Sequence, residues 1–260
     1  MLTDRQRHLA AELLRDAERS GTPVAPLVGI FPGIDAEDAY EIQLINIRQR
    51  CVSGATVTGH KVGLSSPVMQ QMMGVDEPDY GHLLDGMELH QDRPVPVTRY
   101  CAPRIEVEVG FVLGDDLPGE ECDAADVLAA TERVVPALEL IDSRIRDWRI
   151  ALPDTIADNA SSAGYVIGDG RDPREVDLKA IEAVLRDDDR SLAAGRSDAV
   201  LGDPAVSVAW LARTVARFGV PLRKGHLVLP GSCTRAVEVT AGATFTAEFT
   251  GLGPVSLSFI

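Results

Sequence analysis

Arg104-Ile-Glu-Val-Glu-Val-Gly-Phe-Val-Leu113 alternates in character from residue to residue, the pattern of a β-strand. Ile105, Val107, Val109 and Phe111 fall on one face, and the period of two puts Glu106 and Glu108 together on the other. A solvated strand face would explain such a pair without further chemistry. Parallel carboxylates repel each other unless water or a cation lies between them. A third acid, Glu139, interrupts the apolar run Val134-Val-Pro-Ala-Leu-Glu-Leu-Ile141. Apolar residues on both sides predict burial on both faces, and a buried carboxylate needs a cation or strong donors. Glu106, Glu108 and Glu139 are therefore the candidate oxygen ligands of a hard divalent cation.

Around this strand the spacing predicts an α+β body. Further strands are expected at Ala55–Gly63, Val95–Cys101, Gly164–Ile167, Leu227–Leu229, Val237–Val239, Thr244–Thr250 and Pro254–Phe259. Residues 178–196 fit a helix or a hairpin turning at Asp187-Asp-Asp189, and the hairpin is preferred. A helix is expected from Pro204 to Phe218, capped by Asp203 and ended by Gly219. Its buried stripe is Val208, Leu211, Val215 and Phe218. A shorter helix is expected over Ala124–Arg133. The first 53 residues read as a small helical segment, with one helix through Leu9, Leu13, Leu14 and Ala17. A second is capped by Asp35 and shows Tyr40, Leu44, Ile47 and Cys51 on one face. Residues 54–260 form the expected body.

The balance of 40 acids against 25 bases gives a net charge of −15, which argues against nucleic acid or an anionic membrane as partner. Four scattered cysteines without a CxxC pair suit a reducing compartment. The N-terminus lacks the apolar core of a signal peptide, so a soluble, cytoplasmic protein is expected. No GxGxxG, P-loop, zinc-type Cys/His cluster or nucleophile elbow occurs, which removes the common dinucleotide, NTPase and serine-hydrolase chemistries.

Two further stretches carry reactive groups. In Gly59-His-Lys-Val-Gly-Leu-Ser-Ser66, Lys61 shares a strand face with Gly63, which leaves room for another molecule to approach. A lysine there can stabilise an enolate oxygen or relay protons, although a surface charge would fit the spacing too. His60 points the other way and reads as structural or surface. Gly74-Val-Asp-Glu-Pro-Asp-Tyr-Gly81 contains Asp79, and its composition reads as turn chemistry. The loops Asn159-Ala-Ser-Ser162 and Leu229-Pro-Gly-Ser-Cys233 offer small residues and hydroxyls that could cradle a carboxylate. Met69–Met73 reads as a short helix packed on the core.

Taken in order, these motifs resemble the 2-keto-4-pentenoate hydratase family, which lies within the fumarylacetoacetase superfamily. The motifs that complete the series are Gly74–Leu83, Ile105–Gly110, Val135–Arg144, Ala157–Ser162, Ala209–Leu211 and Pro230–Ser232. That family also includes the 2-oxo-3-hexenedioate (4-oxalocrotonate) decarboxylases. The resemblance implies a large mixed-sheet roll or barrel of the fumarylacetoacetase C-terminal-domain type behind the small helical segment. It implies Mg²⁺ or Mn²⁺ on Glu106, Glu108 and Glu139, proton chemistry at Lys61 and Asp79, and substrate binding at Leu84, Ser161 and Ser232. The implied reaction adds water to a 2-hydroxy-2,4-dienoate to give a 4-hydroxy-2-oxo acid, in aromatic or steroid meta-cleavage degradation. Gly59–Ser66 with Ile141–Arg144 especially resembles actinobacterial-type hydratases, which points to the six-carbon 2-hydroxyhexa-2,4-dienoate beside the five-carbon substrate. A homo-oligomer is implied, with a downstream aldolase or sister decarboxylase as further partner. The alternatives are decarboxylation of 2-oxo-3-hexenedioate, which needs a cation at the far end of the pocket, and a catalytically silent partner subunit.

Overall fold

The computed structural model describes the backbone of residues 1–260 and every side chain except those of Met72 and Met73. Helices α1 (Asp4–Ser20), α2 (Leu27–Ile30) and α3 (Ala36–Val52) come first. Thr3 caps α1 through a reciprocal pair with Gln6, and Gly21 ends it at φ 63°. The buried side of α1 is Ala10, Ala11, Leu14 and Ala17, whereas Leu9 is exposed. The α1 stripe is thus shifted one residue from the sequence expectation, because small alanines let α1 lie close against α3. Asp35 caps α3 by accepting from the Asp38 amide. Tyr40, Leu44 and Ile47 are buried as expected, but Cys51, in the last turn, is exposed.

The body follows as β1 (Val57–Gly63), α4 (Pro67–Met73), β2 (Asp79–Leu84), β3 (Arg104–Leu113), α5 (Ala124–Ala130), β4 (Thr131–Ile141), α6 (Leu152–Ala157) and β5 (Ser162–Ile167). Then come β6 (Glu182–Asp187), β7 (Arg190–Arg196), α7 (Pro204–Ala216), β8 (Leu227–Leu229), β9 (Val237–Glu238), β10 (Thr244–Phe249) and β11 (Gly253–Ser258). Seven strands form a mixed sheet in the order β2-β1-β8-β3-β4-β5, with β9 also on β3. The β1–β8 pair is parallel and its neighbours are antiparallel. A four-stranded sheet, β11-β10-β6-β7, packs against β4 and β5. This is the half-barrel with helices that the resemblance implied.

Four expectations need correction. Val95–Cys101 is not a strand: Val95 makes one isolated bridge to Phe259, and Val97–Arg99 is a single 3₁₀ turn. The Val95 and Val97 amides donate to the Ser258 and Ile260 carbonyls, but the pairing ends there because the chain turns at Val97–Arg99. The helix expected to Arg133 stops at Ala130, because Thr131 is extended and opens β4. Asp79 does not lie in a turn but opens β2, paired with Gly63. Of the methionine stretch, Met69 is exposed, and the side chains of Met72 and Met73 lie outside the described residues. The hairpin reading of 178–196 holds, with the turn at Asp188-Asp189 between β6 and β7.

The inner face of β3 supplies Ile105, Val107, Val109 and Phe111, each no more than 1% exposed. Burial of such a side chain contributes roughly 1.5–3 kcal/mol apiece, so the register of β3 is strongly held. One apolar core joins α1–α3 to the sheets and α7. Asp203 caps α7, Pro204 opens it, and Val208, Leu211 and Val215 are buried, with Phe218 half-buried beyond its end.

Candidate active site

With the apolar face of β3 locked inward, Glu106 and Glu108 must project from the opposite face. The antiparallel register sets Glu139 of β4 directly across from Glu106. The three residues each offer a carboxylate oxygen within 4.8 Å of the others. Glu108 and Glu139 are fully buried. One Glu108 oxygen accepts from the Gly231 amide at 2.7 Å, and one Glu139 oxygen accepts from the Ser162 hydroxyl at 2.8 Å. Glu108 Oε1 has no hydrogen-bond donor, and Glu139 Oε2 has only the Lys61 ammonium near it, at 3.4 Å. Buried acceptors left open in this way cost free energy unless a cation or ligand meets them. The donor set is all oxygen, so it fits Mg²⁺ or Mn²⁺ and does not resemble a zinc or copper site.

Lys61 comes to the same cluster from β1. Its Nζ lies 3.4 Å from Glu139 Oε2 and donates to the Ala160 carbonyl at 3.0 Å. Burial by itself would lower the lysine, but Glu139, then Glu106, Asp79 and Glu108, more than offset this and raise it. The four acids rise as well, chiefly because burial disfavours their charged forms, with Lys61 opposing the rise. Burial pushes Glu139 up to about 7. Burial lifts Glu108 further, helped by Glu139 and Glu106. We read Lys61 as firmly protonated and the glutamates as competing for protons, because the cluster carries excess negative charge.

Asp79 stands beside this group through strand pairing. It faces Gly63, where an added Cβ would come within 2.2 Å of Asp79 Oδ1 and 3.5 Å of Lys61 Nζ. Gly63 is thus the space that lets Asp79 and Lys61 share one face. Asp79 Oδ2 accepts from the Thr155 hydroxyl at 3.0 Å, while Oδ1 has no partner. Burial raises the Asp79 carboxyl, opposed by Lys61 and Thr155. The opposite face of the same hairpin carries His60, Tyr80 and His82, all buried. His60 lies 4.7 Å from His82 between ring centroids, and burial keeps it neutral. His60 is therefore a buried core residue pointing away from Lys61.

The fourth wall is the segment between α6 and β5. Asn159, Ala160 and Ser161 take φ of 55°, 48° and 57°, three consecutive left-handed residues without a glycine. Such residues cost on the order of 1–2 kcal/mol each. The Asn159 side chain binds both backbone groups of His82, accepting from its amide at 2.8 Å and donating to its carbonyl at 2.9 Å. The turn sits directly on Gly81, where a Cβ would meet the Asn159 carbonyl oxygen at 2.3 Å. Ala160 thereby presents its carbonyl to Lys61, and the Ser161 hydroxyl is buried without a partner.

The structure thus gathers Lys61, Asp79, Glu106, Glu108, Glu139 and the Ser161 turn at one place. Ser232 is adjacent, bridged to Glu108, but its hydroxyl is engaged by the Val107 amide at 3.1 Å. Leu84 is not brought to the site. It ends β2 opposite Val57, five residues from Asp79 or roughly 17 Å along the strand. There it packs with Leu83, Met87 and Ile47 in a separate apolar cluster. Leu84 lines a groove of about 1230 Å³ between the helical segment and the body, whose lining includes none of the three glutamates, Lys61 or Asp79. The convergence of charged groups, not cavity volume, locates the site. Sequence reasoning missed Thr155 altogether, since it lies 76 residues from its partner and follows no motif spacing.

The chain belongs to the fumarylacetoacetate (FAA) hydrolase C-terminal family, whose model matches residues 84–259. It is 44% identical to a 2-keto-4-pentenoate hydratase of Paraburkholderia xenovorans strain LB400, over 99% of this chain and 96% of that one. It is 41% identical to a 2-hydroxyhexa-2,4-dienoate hydratase of Comamonas testosteroni, over 95% of this chain and 94% of the relative. Among solved structures, it superposes with TM-score 0.96 and 34% identity on the 4-oxalocrotonate decarboxylase of Pseudomonas putida G7 complexed with magnesium and adipate. That match covers 100% of this chain and 99% of the other.

Proposed function

We propose that this protein is a metal-dependent hydratase of 2-hydroxy-2,4-dienoates, releasing a 4-hydroxy-2-oxo acid in aromatic or steroid catabolism. The observation that carries the proposal is the three-carboxylate cluster with open buried oxygens, next to an ammonium and a carboxyl on one strand face. The names of the full-length relatives support the same reaction class. Glu106, Glu108 and Glu139 would hold Mg²⁺ or Mn²⁺. When bound, such a cation supplies Lewis-acid polarisation of the substrate's C2 oxygen.

The protein groups then divide the remaining work. Lys61, held by Glu139 and the Ala160 carbonyl, places a fixed positive charge for the developing negative charge at C2–O. Asp79 has one oxygen anchored by Thr155 and the other open, and burial raises its carboxyl toward the range where it can carry a proton. It serves the proton that leaves the C2 hydroxyl and the one that arrives at C5, which together give the 2-oxo-3-enoate. Water then adds its hydroxyl to C4 and its proton to C3, with Asp79 guiding it. The Ser161 hydroxyl, buried and unpartnered, and the Ser232 segment bind the substrate carboxylate.

Decarboxylation of 2-oxo-3-hexenedioate is the second reading, favoured by the overall match to the decarboxylase. Purified chain with Mg²⁺ or Mn²⁺ separates the two. The proposal expects loss of dienoate absorbance with a five- or six-carbon monocarboxylate, abolished by chelation. Loss accompanied by CO₂ release from hexenedioate alone would overturn it in favour of the decarboxylase. No change on any substrate would overturn both and leave the silent-subunit reading. The proposal includes a cytoplasmic homo-oligomer, read by light scattering. It includes a complex with a downstream aldolase or sister decarboxylase, read by co-purification. Among the described residues no helix is long and apolar enough to cross a membrane.

A further inference from the structure

The motif Ile141-Asp-Ser-Arg144 has no role in the chemistry above, yet the structure joins it to Ala157-Asp-Asn-Ala-Ser-Ser162, the segment that carries Ala160 and Ser161. Arg144 is 5% exposed, and every nitrogen of its guanidinium is engaged at the base of the left-handed turn. Its Nε donates to Asp158 Oδ1 at 2.5 Å, and its backbone amide donates to Asp158 Oδ2 at 2.9 Å. Nη1 donates to the carbonyls of Asp142 at 2.6 Å and Ser162 at 3.3 Å, and Nη2 to the carbonyl of Asp158. Asp142 is itself tied down by the amides of Cys101 and Ala102. The Asp142 amide then donates to the Ser161 carbonyl at 2.8 Å, and the Ser161 amide to the Asp158 carbonyl at 3.0 Å. Both ends of the Asn159–Ser161 turn are therefore fixed to one buried guanidinium.

We propose that Arg144, acting through Asp158, is a positioning residue for the active site: it holds the strained turn so that Ala160 seats the Lys61 ammonium and Ser161 faces the substrate. A turn of three left-handed non-glycine residues does not persist unless its surroundings over-determine it. Arginine suits this task because its planar fork reaches several acceptors at once, which a lysine cannot do. The glutamates that would hold the metal stand on β3 and β4, and only Glu139 touches this segment, through the Ser162 hydroxyl, so loosening the turn shifts Lys61 and Ser161 more than it shifts the carboxylate cluster.

The kinetic arm of the test rests on the hydratase reading, and the exchange arm does not. Arg144→Lys in the full chain is expected to lower kcat about tenfold or more, as loss of an outer-shell support does. Mn²⁺ affinity should change by less than about threefold, since the ligands themselves are untouched. Hydrogen exchange should quicken at the amides of Asp142 and 158–162, with 104–113 and 131–141 still protected. Adding Ala160→Gly should recover at least about threefold in kcat, because glycine adopts the left-handed conformation without strain. Unchanged exchange and kcat in Arg144→Lys would overturn the proposal. A parallel fall of metal affinity and of protection throughout the chain would overturn it too, since that marks a general structural role. If Arg144→Lys does not fold, Asp158→Asn is read by the same three measurements. If neither folds, the pair is a folding element and the positioning role is refuted. An inactive wild type with a locally loosened Arg144→Lys turn would refute the hydratase reading alone.

Discussion

The two walls of the site are built in opposite ways. Glu106, Glu108 and Glu139 stand on long, regular antiparallel strands whose other face is packed into the core. Lys61 instead meets a turn of left-handed residues of which only Asn159 is a type that favours that conformation, and Asp79 is held by Thr155 just before it. The first wall needs only strand periodicity and a register, and it places three acids within reach of one cation. The second needs glycines, a buried side-chain hydroxyl and a clamp of long-range hydrogen bonds to place a single lysine and a single aspartate. In the proposed function, metal binding rests on β3 and β4 alone, and proton chemistry on β1 and β2 together with the turn packed against them.

Breaking the regular wall has the largest effect. Glu108→Gln keeps the shape but removes a ligand charge, and turnover should fall on the order of 10³-fold, the several kcal/mol a Lewis acid supplies. Steady-state rates at saturating Mn²⁺ check this. Asp79→Asn breaks the other wall and is expected to cost about 10²–10⁴-fold in kcat, the usual contribution of a positioned acid–base group. Its Mn²⁺ affinity should stay near wild type, which calorimetry reads. If the two variants lost metal together, the division between walls would be wrong.

Gly63→Ala sharpens the comparison further. The new methyl would lie 2.2 Å from Asp79 Oδ1, so Asp79 must swing away from Lys61. We expect at least about a tenfold loss of kcat with a stability change of no more than about 2 kcal/mol, from kinetics and denaturant titration. Thr155→Val removes one hydrogen bond to Asp79, worth about 1.5–3 kcal/mol where the acceptor is charged, so kcat should fall about tenfold.

The last comparison is with pH. Burial raises the Glu139 carboxyl from its ordinary 4.5 to about 7. A carboxyl raised in the folded state favours folding fully below the unfolded value, and this contribution is lost as pH climbs through the folded value. The chain without added metal should therefore lose stability between pH 4.5 and about 7 through this group. A cation must displace the same proton, so Mn²⁺ affinity should rise about tenfold per pH unit over that window. Thermal melts at several pH values, with and without Mn²⁺, measure both trends.

This contrast also explains what could be read from the amino acids. Glu106 and Glu108 were legible because period-two alternation needs no partner, and Glu139 because its neighbours are apolar on both sides. The direct facing of Glu106 and Glu139 was not, since register is set by the whole β3–β4 pair. Lys61 was legible through Gly63, the glycine that does make room on its face. Asp79 was misread as a turn because Gly74, Pro78 and Gly81 surround it, and because all six residues of β2 are buried. Continuous burial erases the alternation that marks a strand. Ala160 and Ser161 carry no local signal for a left-handed conformation, and Thr155 and Arg144 act across the fold. Leu84 was carried over by resemblance alone, and the strand that holds Asp79 at one end carries Leu84 away at the other.

The most direct test of the central claim is Mn²⁺ titration of the chelator-treated chain, followed by electron paramagnetic resonance. The account predicts one tight site per chain in the wild type, lost in Glu108→Gln and retained in Asp79→Asn. Equal binding by wild type and Glu108→Gln, or no tight binding by the wild type, would contradict it.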